Sequence, residues 1–434
     1  MKSRFVIRVA PSPRTRNLKG TTTFLQRLAS KDLERLFALL PTFDHQKGIR
    51  LFDELAKDPA TAGPILQELL AVVSNHDDPQ LHTPHGVLTI HAGRELLRLT
   101  RPPGGLGLLR FLLFYNFSLP KRSLTSSQVE AAARAIPSAS EEEQARAYRK
   151  FVFERMGPKA TPLLARVALD HGIEAAAHLA IRTSLDDLGR LGHNLALAVG
   201  YADVASILGL PRGLVPLANL GYVQSVGLQG VPSTEIPTLA PPARGKADAN
   251  ALGSLLEEWE FDRVEPILQA FAFEGRSDEA YRPLLIAASA EPGFLGHTLT
   301  EVHTARLASR FLTPSENAWL SWKLVRTLTT RFGYPEFLRL GEPESRDRPS
   351  MLAALESSLR YKSPPAEETV RHALEADVPL EDILAAVVDF YGQWTVGEKE
   401  HTISYLNAVL QTAKFLGKEE ALLPLAIGLS KLPF

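Results

Sequence analysis

Four stretches decide how this chain folds: HGVLTIHAGRELLRL from His85, HNLALAVGYADVASI from His193, HTLTEVHTARLASRF from His297 and HTISYLNAVLQTAKF from His401. They align without gaps on a leading histidine, and those histidines stand 108, 104 and 104 residues apart. Each follows a loop containing Gly, Pro or Asp, such as TSLDDLGRLG before His193 and ASAEPGFLG before His297. Each is followed by a second apolar stretch: GGLGLLRFLLF, RGLVPLANLGY, ENAWLSWKLVR and EEALLPLAIGL. A shared motif with shared flanks predicts a fourfold repeat of about 104 residues per unit.

Outward from these stretches the apolar residues keep helical spacing, as in Leu33, Leu36, Phe37, Leu40 and in Ile65, Leu66, Leu69, Leu70, Val73. Alternating β-branched runs are scarce, so the class is all-α. The expected division is a basic N-terminal segment with the first helix (1–44), then repeat units at 45–150, 151–250, 251–347 and 348–434. A Pro-rich excursion at 227–245 reads as a lid, an ordered loop or a linker. A helical repeat either stacks as an open superhelix or closes on itself. Closure into an α/α toroid-like single domain would turn the four histidine-led helix starts toward one axial cavity, and that is the expected architecture.

The chain has 434 residues, 45% apolar and 22% charged, enough to bury a large core. Lys and Arg number 48 against 49 Asp and Glu, so no global charge favours nucleic acid or a membrane surface. There is no cysteine, which excludes disulfides, thiolate metal sites, iron–sulfur clusters and a cysteine nucleophile. No apolar run is long enough for a membrane span. The first 31 residues carry eight basic residues and no acid, a composition shared by organellar transit peptides and basic surface segments. The expectation is a cytoplasmic protein.

Imidazole is the commonest metal-ligating side chain and suits Zn, Fe, Cu and Ni. Without cysteine, a transition-metal site must be built from histidine and carboxylate. His85, His193, His297 and His401 are the four candidate ligands, and Glu301 is a candidate oxygen ligand or ligand partner. The alternative is four capping or interface histidines inherited with the repeat. Seven residues on, nearly on the same helix face, stand Ala92, Gly200, Thr304 and Ala408, which permit close helix packing or leave room for a ligand. Four residues on, Glu301 and Tyr405 are acid/base candidates. Units 1 and 3 share H-x5-H-x2-R: His85, His91, Arg94 and His297, His303, Arg306. The second histidine is rotated roughly 120° from the first, so it is expected to bond across a helix interface rather than join the same ion. Arg94 and Arg306 would pair with a substrate or an internal carboxylate. His171 and His178, and the loop residues His76 and His82, are core, ligand or solvated histidines. Neither GxSxG nor HExxH occurs, nor a Walker loop or a dinucleotide fingerprint.

These motifs bear a family resemblance. HGVLTIHAGR (His85–Arg94) resembles the HGxIRxxHAxR pattern of the questin-oxidase-like family, and the stretches opening at His297 and His401 resemble its HAxT and HAIK patterns. Members are associated with oxidative ring opening of anthraquinones. The resemblance implies an all-α fold and a non-haem iron centre held by His85, His193, His297 and His401, with O2 as co-substrate. The lysine after the family's last histidine is replaced by Ser404, and Lys399 is the nearest substitute.

The leading expectation is therefore a metal-dependent oxidoreductase or oxygenase (a monooxygenase or dioxygenase, with iron, or Zn or Mn in its place) acting on an aromatic or quinone-like small molecule. Two rivals stand beside it. A zinc-dependent hydrolase or lyase would use the same pocket, and a non-catalytic helical-repeat scaffold would hold its histidines far apart.

Overall fold

A computed structural model describes residues 24–40, 45–78, 83–100, 104–188, 190–227, 239–242, 246–258, 260–326, 328, 340–341, 347–394 and 399–432. The described residues are all-α, as the apolar period predicts, with no strand and one isolated bridge between His76 and Lys121. Among them no helix is long and apolar enough to cross a membrane. The basic stretch up to residue 23, His82 and most of the 227–245 excursion lie outside the described residues.

Two compact units form, Met1–Lys57 and Asp58–Phe434. The first contains α1 (Phe24–Leu39) and α2 (His45–Leu55), packed on one another. The second opens with α3 (Ala62–Val73), α4 (His85–Leu97) and α5 (Leu106–Ser118). Then α6 (Ser126–Arg134) and α7 (Glu141–Phe153) lead to α8 (Gly157–His171), α9 (Ile173–Ser184), α10 (His193–Leu208) and α11 (Leu214–Gly227). After α12 (Ala249–Glu258) come α13 (Phe261–Phe273), α14 (Ser277–Ala290), α15 (His297–Ala308) and α16 (Pro314–Val325). After α17 (Arg348–Tyr361) come α18 (Ala366–Glu375), α19 (Leu380–Trp394), α20 (Lys399–Leu416) and α21 (Leu422–Lys431).

Three groups of four helices pack in the same order. Within α8–α11, α13–α16 and α18–α21, each helix packs on the next and the fourth returns to the first. The first repeat is a three-helix version, α3–α5. Local chemistry fixes where helices start: Thr125 with Gln128, Ser140 with Glu143, and Thr313 with Glu316 form capping boxes that satisfy otherwise unpaired N–H groups. Helices α10 and α11 are apolar on nearly every side, which places them in the interior rather than at the surface.

The four histidine-led helices pack in a cycle, α4 on α10, α10 on α15, α15 on α20 and α20 on α4. A polar link crosses each junction between repeats. Asp203 joins the second repeat to His91 and Arg94 of the first. Glu316 takes Arg182 at 2.8 Å and His178 at 3.1 Å. Arg282 pairs with Glu420 at 3.0 Å. Between the last repeat and the first, Gln411 donates to the Glu95 carbonyl at 3.2 Å, and Asp389 accepts the Gly105 N–H at 2.6 Å where α5 begins.

Candidate metal centre

The turns before His193 and His297 are built alike. Both read Leu-Gly-His, and both place the leucine and the glycine in the left-handed region: Leu191 at φ 57° and Gly192 at 78°, Leu295 at 50° and Gly296 at 79°. A leucine with positive φ is uncommon and persists only where surrounding structure holds it. One matching bond does so in each: Asn194 N–H to Leu188 O and Thr298 N–H to Pro292 O, both 3.0 Å. The result is a helix that starts on the histidine itself. In the first repeat Pro84 precedes the helix start at His85. In the last, α20 begins at Lys399, so His401 sits two residues inside; the Lys399 side chain lies outside the described residues. The difference is physical. Glu400 stands where the other two repeats have glycine, and a left-handed turn there is costly for a residue with a Cβ.

The cyclic packing brings the four imidazoles together in sequence order. Ring centroids are 5.3 Å apart for His85 and His193, 5.1 Å for His193 and His297, 5.1 Å for His297 and His401, and 4.9 Å for His401 and His85. His85, His193 and His401 each offer a nitrogen within 4.8 Å of the others, so these three form a group able to hold a metal ion. Metal–imidazole bonds of about 2.0–2.1 Å put tetrahedral ligand nitrogens about 3.4 Å apart, so binding requires the three rings to draw inward from separations of up to 4.8 Å. His297 forms the remaining side of the square.

Protonation states favour ligation. Burial, reinforced by the neighbouring imidazoles, pushes His85 down to about 3, so it is neutral at physiological pH. Its Nε2 is buried with no hydrogen-bond partner. His297 Nδ1 lies 2.5 Å from the Phe294 carbonyl, which can only accept, so Nδ1 carries the proton and Nε2 the lone pair. A backbone carbonyl fixing the tautomer in this way is the usual setting of a metal-ligating histidine.

The four histidines line a cavity of about 60 Å³ together with Leu88, Ala196, Leu191, Leu295, Glu301 and others. Of the small residues seven positions on, Ala92 and Thr304 line it, whereas Gly200 faces Val87 across the α4–α10 contact. Glu301 is 8% exposed and packs against Gly192, the residue before His193. Tyr405 packs in the same way against Gly296, the residue before His297. Its hydroxyl is buried and burial raises its pKa, so it is a phenol rather than a phenolate. It lines an adjoining cavity with His401 rather than the histidine cavity itself.

Burial lifts the Glu301 carboxyl to about 7. A carboxyl raised in the fold stabilises it fully below about 4.5 and loses that contribution as pH rises through about 7. A divalent cation in the same cavity reverses the preference toward the carboxylate. Metal uptake at pH 6 is therefore expected to release about one proton from Glu301, read as a buffer-dependent heat of binding. Glu301→Gln should abolish that release; an unchanged buffer dependence would contradict it.

Arg94 and Arg306 are not cavity walls. Arg94 is paired with Asp203, and Arg306 binds Asp278 at 3.0 Å and lies 3.8 Å over the Phe415 ring. Of the two substrate or carboxylate options, both thus have internal carboxylates. His178 is occupied by Glu316, and His171 is exposed at the end of α8. His76 is structural: its buried Nδ1 accepts the Gly86 N–H at 2.9 Å, and burial, the largest influence, lowers its pKa to about 4. Sequence reasoning missed Asp203 and Asn407. The signal for Asp203 was an acid within the otherwise apolar run HNLALAVGYADVASIL; Asn407 occupies the position of the second histidine in its repeat.

No known protein family, characterised protein or solved structure matches the chain.

Proposed function

We propose that this protein is a metal-dependent oxidoreductase, with non-haem iron held by His85, His193 and His401 beside His297, and O2 and an aromatic or quinone-like molecule as substrates. The observation that carries the reading is the convergence of the repeat histidines on one buried cavity. An iron centre there would supply the electrons that activate O2. The protein's own residues bind, orient and exclude water. Neutral imidazoles leave an uncompensated metal charge that Glu301, as carboxylate, offsets. The cavity of about 60 Å³ suits O2 and a few waters, but not a fused-ring quinone. An aromatic substrate would meet it from outside, where Leu191 is 46% exposed and Phe294, 72% exposed, lies parallel to the His297 ring.

A zinc hydrolase or lyase is the second reading, favoured by a Glu301 poised near 7 as a general base. The scaffold reading requires separated histidines, and rings 4.9–6.2 Å apart count against it. Protein loaded anaerobically with Fe(II) and then exposed to O2 should consume it faster in the presence of a hydroxyquinone panel. Oxygen uptake no faster than that of the His401→Ala variant would move the assignment to zinc chemistry.

A further inference from the structure

Six residues beyond each repeat histidine is a second tier of side chains, about 9 Å further along each helix: His91, Val199, His303 and Asn407. All four line the same cavity as the histidine ring. Three carry buried polar atoms with no hydrogen-bond partner: His91 Nε2, both ring nitrogens of His303, and Asn407 Oδ1. His303 is 5% exposed and Asn407 3%. Leaving such groups unpaired in the interior is costly, so three facing one cavity call for an occupant.

The facing atoms define its chemistry. The Asp203 carboxylate can only accept, so His91 Nδ1, 3.1 Å away, carries a proton, and Nε2 is the ring nitrogen left for a metal. A carboxylate bracing the far nitrogen of an imidazole, itself braced by Arg94, is the arrangement that orients metal-bound histidines. Both His303 ring nitrogens are buried without a partner, so the neutral ring offers a lone pair to the cavity in either tautomer. Asn407 adds an amide oxygen. The charged groups beside this tier are already matched, Arg94 by Asp203 and Arg306 by Asp278.

We infer that this deeper tier is a second metal site, in which His91 Nε2, His303 and Asn407 Oδ1 hold a second divalent transition-metal ion beneath the first. Two nitrogens and one oxygen leave coordination positions open toward the cavity. The ring of His85, His193 and His401 and the tier below line one cavity, with Glu301 in its wall. This goes beyond the single-metal reading and does not depend on iron or on O2.

The test is titration of the metal-free, untagged protein with Co(II) and with Zn(II), counting equivalents by calorimetry and following the visible Co(II) bands. Wild type should take up two equivalents. His303→Leu should keep its helical circular dichroism and take up one. Asn407→Asp, which swaps an amide for a carboxylate in nearly the same volume, should bind the second ion at least about 10-fold more tightly, an outcome that a merely packing role for Asn407 does not produce. One equivalent in wild type, retained in His303→Leu and lost in His85→Ala, would overturn the second site and leave the first standing. One equivalent lost in His303→Leu and kept in His85→Ala would uphold the deeper tier and overturn the ring. No uptake in any of them would overturn both.

Discussion

His85→Ala is expected to fold like the parent and to bind a first divalent transition-metal ion at least about 10-fold more weakly, since losing a ligand costs no less than losing a residue that orients one. His85 is the ring member flanked most closely by another, 4.9 Å from His401, and one of the three whose nitrogens fall within 4.8 Å. The fold should survive because the imidazole already borders an open cavity. Its removal extends that space rather than opening a sealed one, and it takes away a buried Nε2 that has no hydrogen bond. The expected change in stability of the metal-free protein is within about 1 kcal/mol, measured by denaturant unfolding. Metal affinity by chelator competition checks the rest. Unaltered affinity would remove His85 from the centre.

Gly296→Ala is expected to have the largest effect on stability, about 3 kcal/mol or more. Two costs add. A residue with a Cβ at φ 79° pays about 1–2 kcal/mol for the left-handed conformation. The new methyl would also stand 2.1 Å from Tyr405 Cδ2, so a ring that is 4% exposed would have to shift. A double variant with Tyr405→Gly frees that space, so the pair should show strong coupling, with the Gly296→Ala cost falling to the backbone share alone. Gly200→Ala is the control. It lies within α10, its nearest neighbour would be Val87 Cγ2 at 3.5 Å, and helix propensity favours alanine. Chemical denaturation of the wild type, the Gly296→Ala and Tyr405→Gly single variants, their double variant and Gly200→Ala at one pH measures all of this. A Gly296→Ala loss no larger than that of Gly200→Ala would refute the packing.

Much of this arrangement was legible in the sequence. The 104-residue spacing and the leading histidines marked four equivalent helices, and the helical period of the apolar residues fixed the class. The Leu-Gly-His turns were also in plain view at 191–193 and 295–297. What a linear reading could not supply was rotation. Whether position +6 faces a neighbouring helix or the shared space depends on how the helices turn when they close into a cycle, so His303 and Asn407 became a tier only once the four helices were seen side by side. Asp203 went unread because its partners lie 109 and 112 residues away on a different helix, and nothing local marks it. Arg94 and Arg306 resembled ligand-binding cations for the same reason, their carboxylates being invisible along the chain. Tyr405 stands at the same register as Glu301, but the bulk of its ring against Gly296 turns it into an adjoining pocket.

The central claim is that the four-histidine cavity binds a metal. Its most direct test is elemental analysis with X-ray absorption on untagged protein purified without chelator. A transition metal at one or more ions per chain, surrounded by imidazole nitrogens at about 2.0–2.2 Å, is the expected outcome, with iron selecting the oxidoreductase reading. Protein that holds no metal and takes up neither Fe(II), Zn(II), Mn(II) nor Co(II) would contradict the claim.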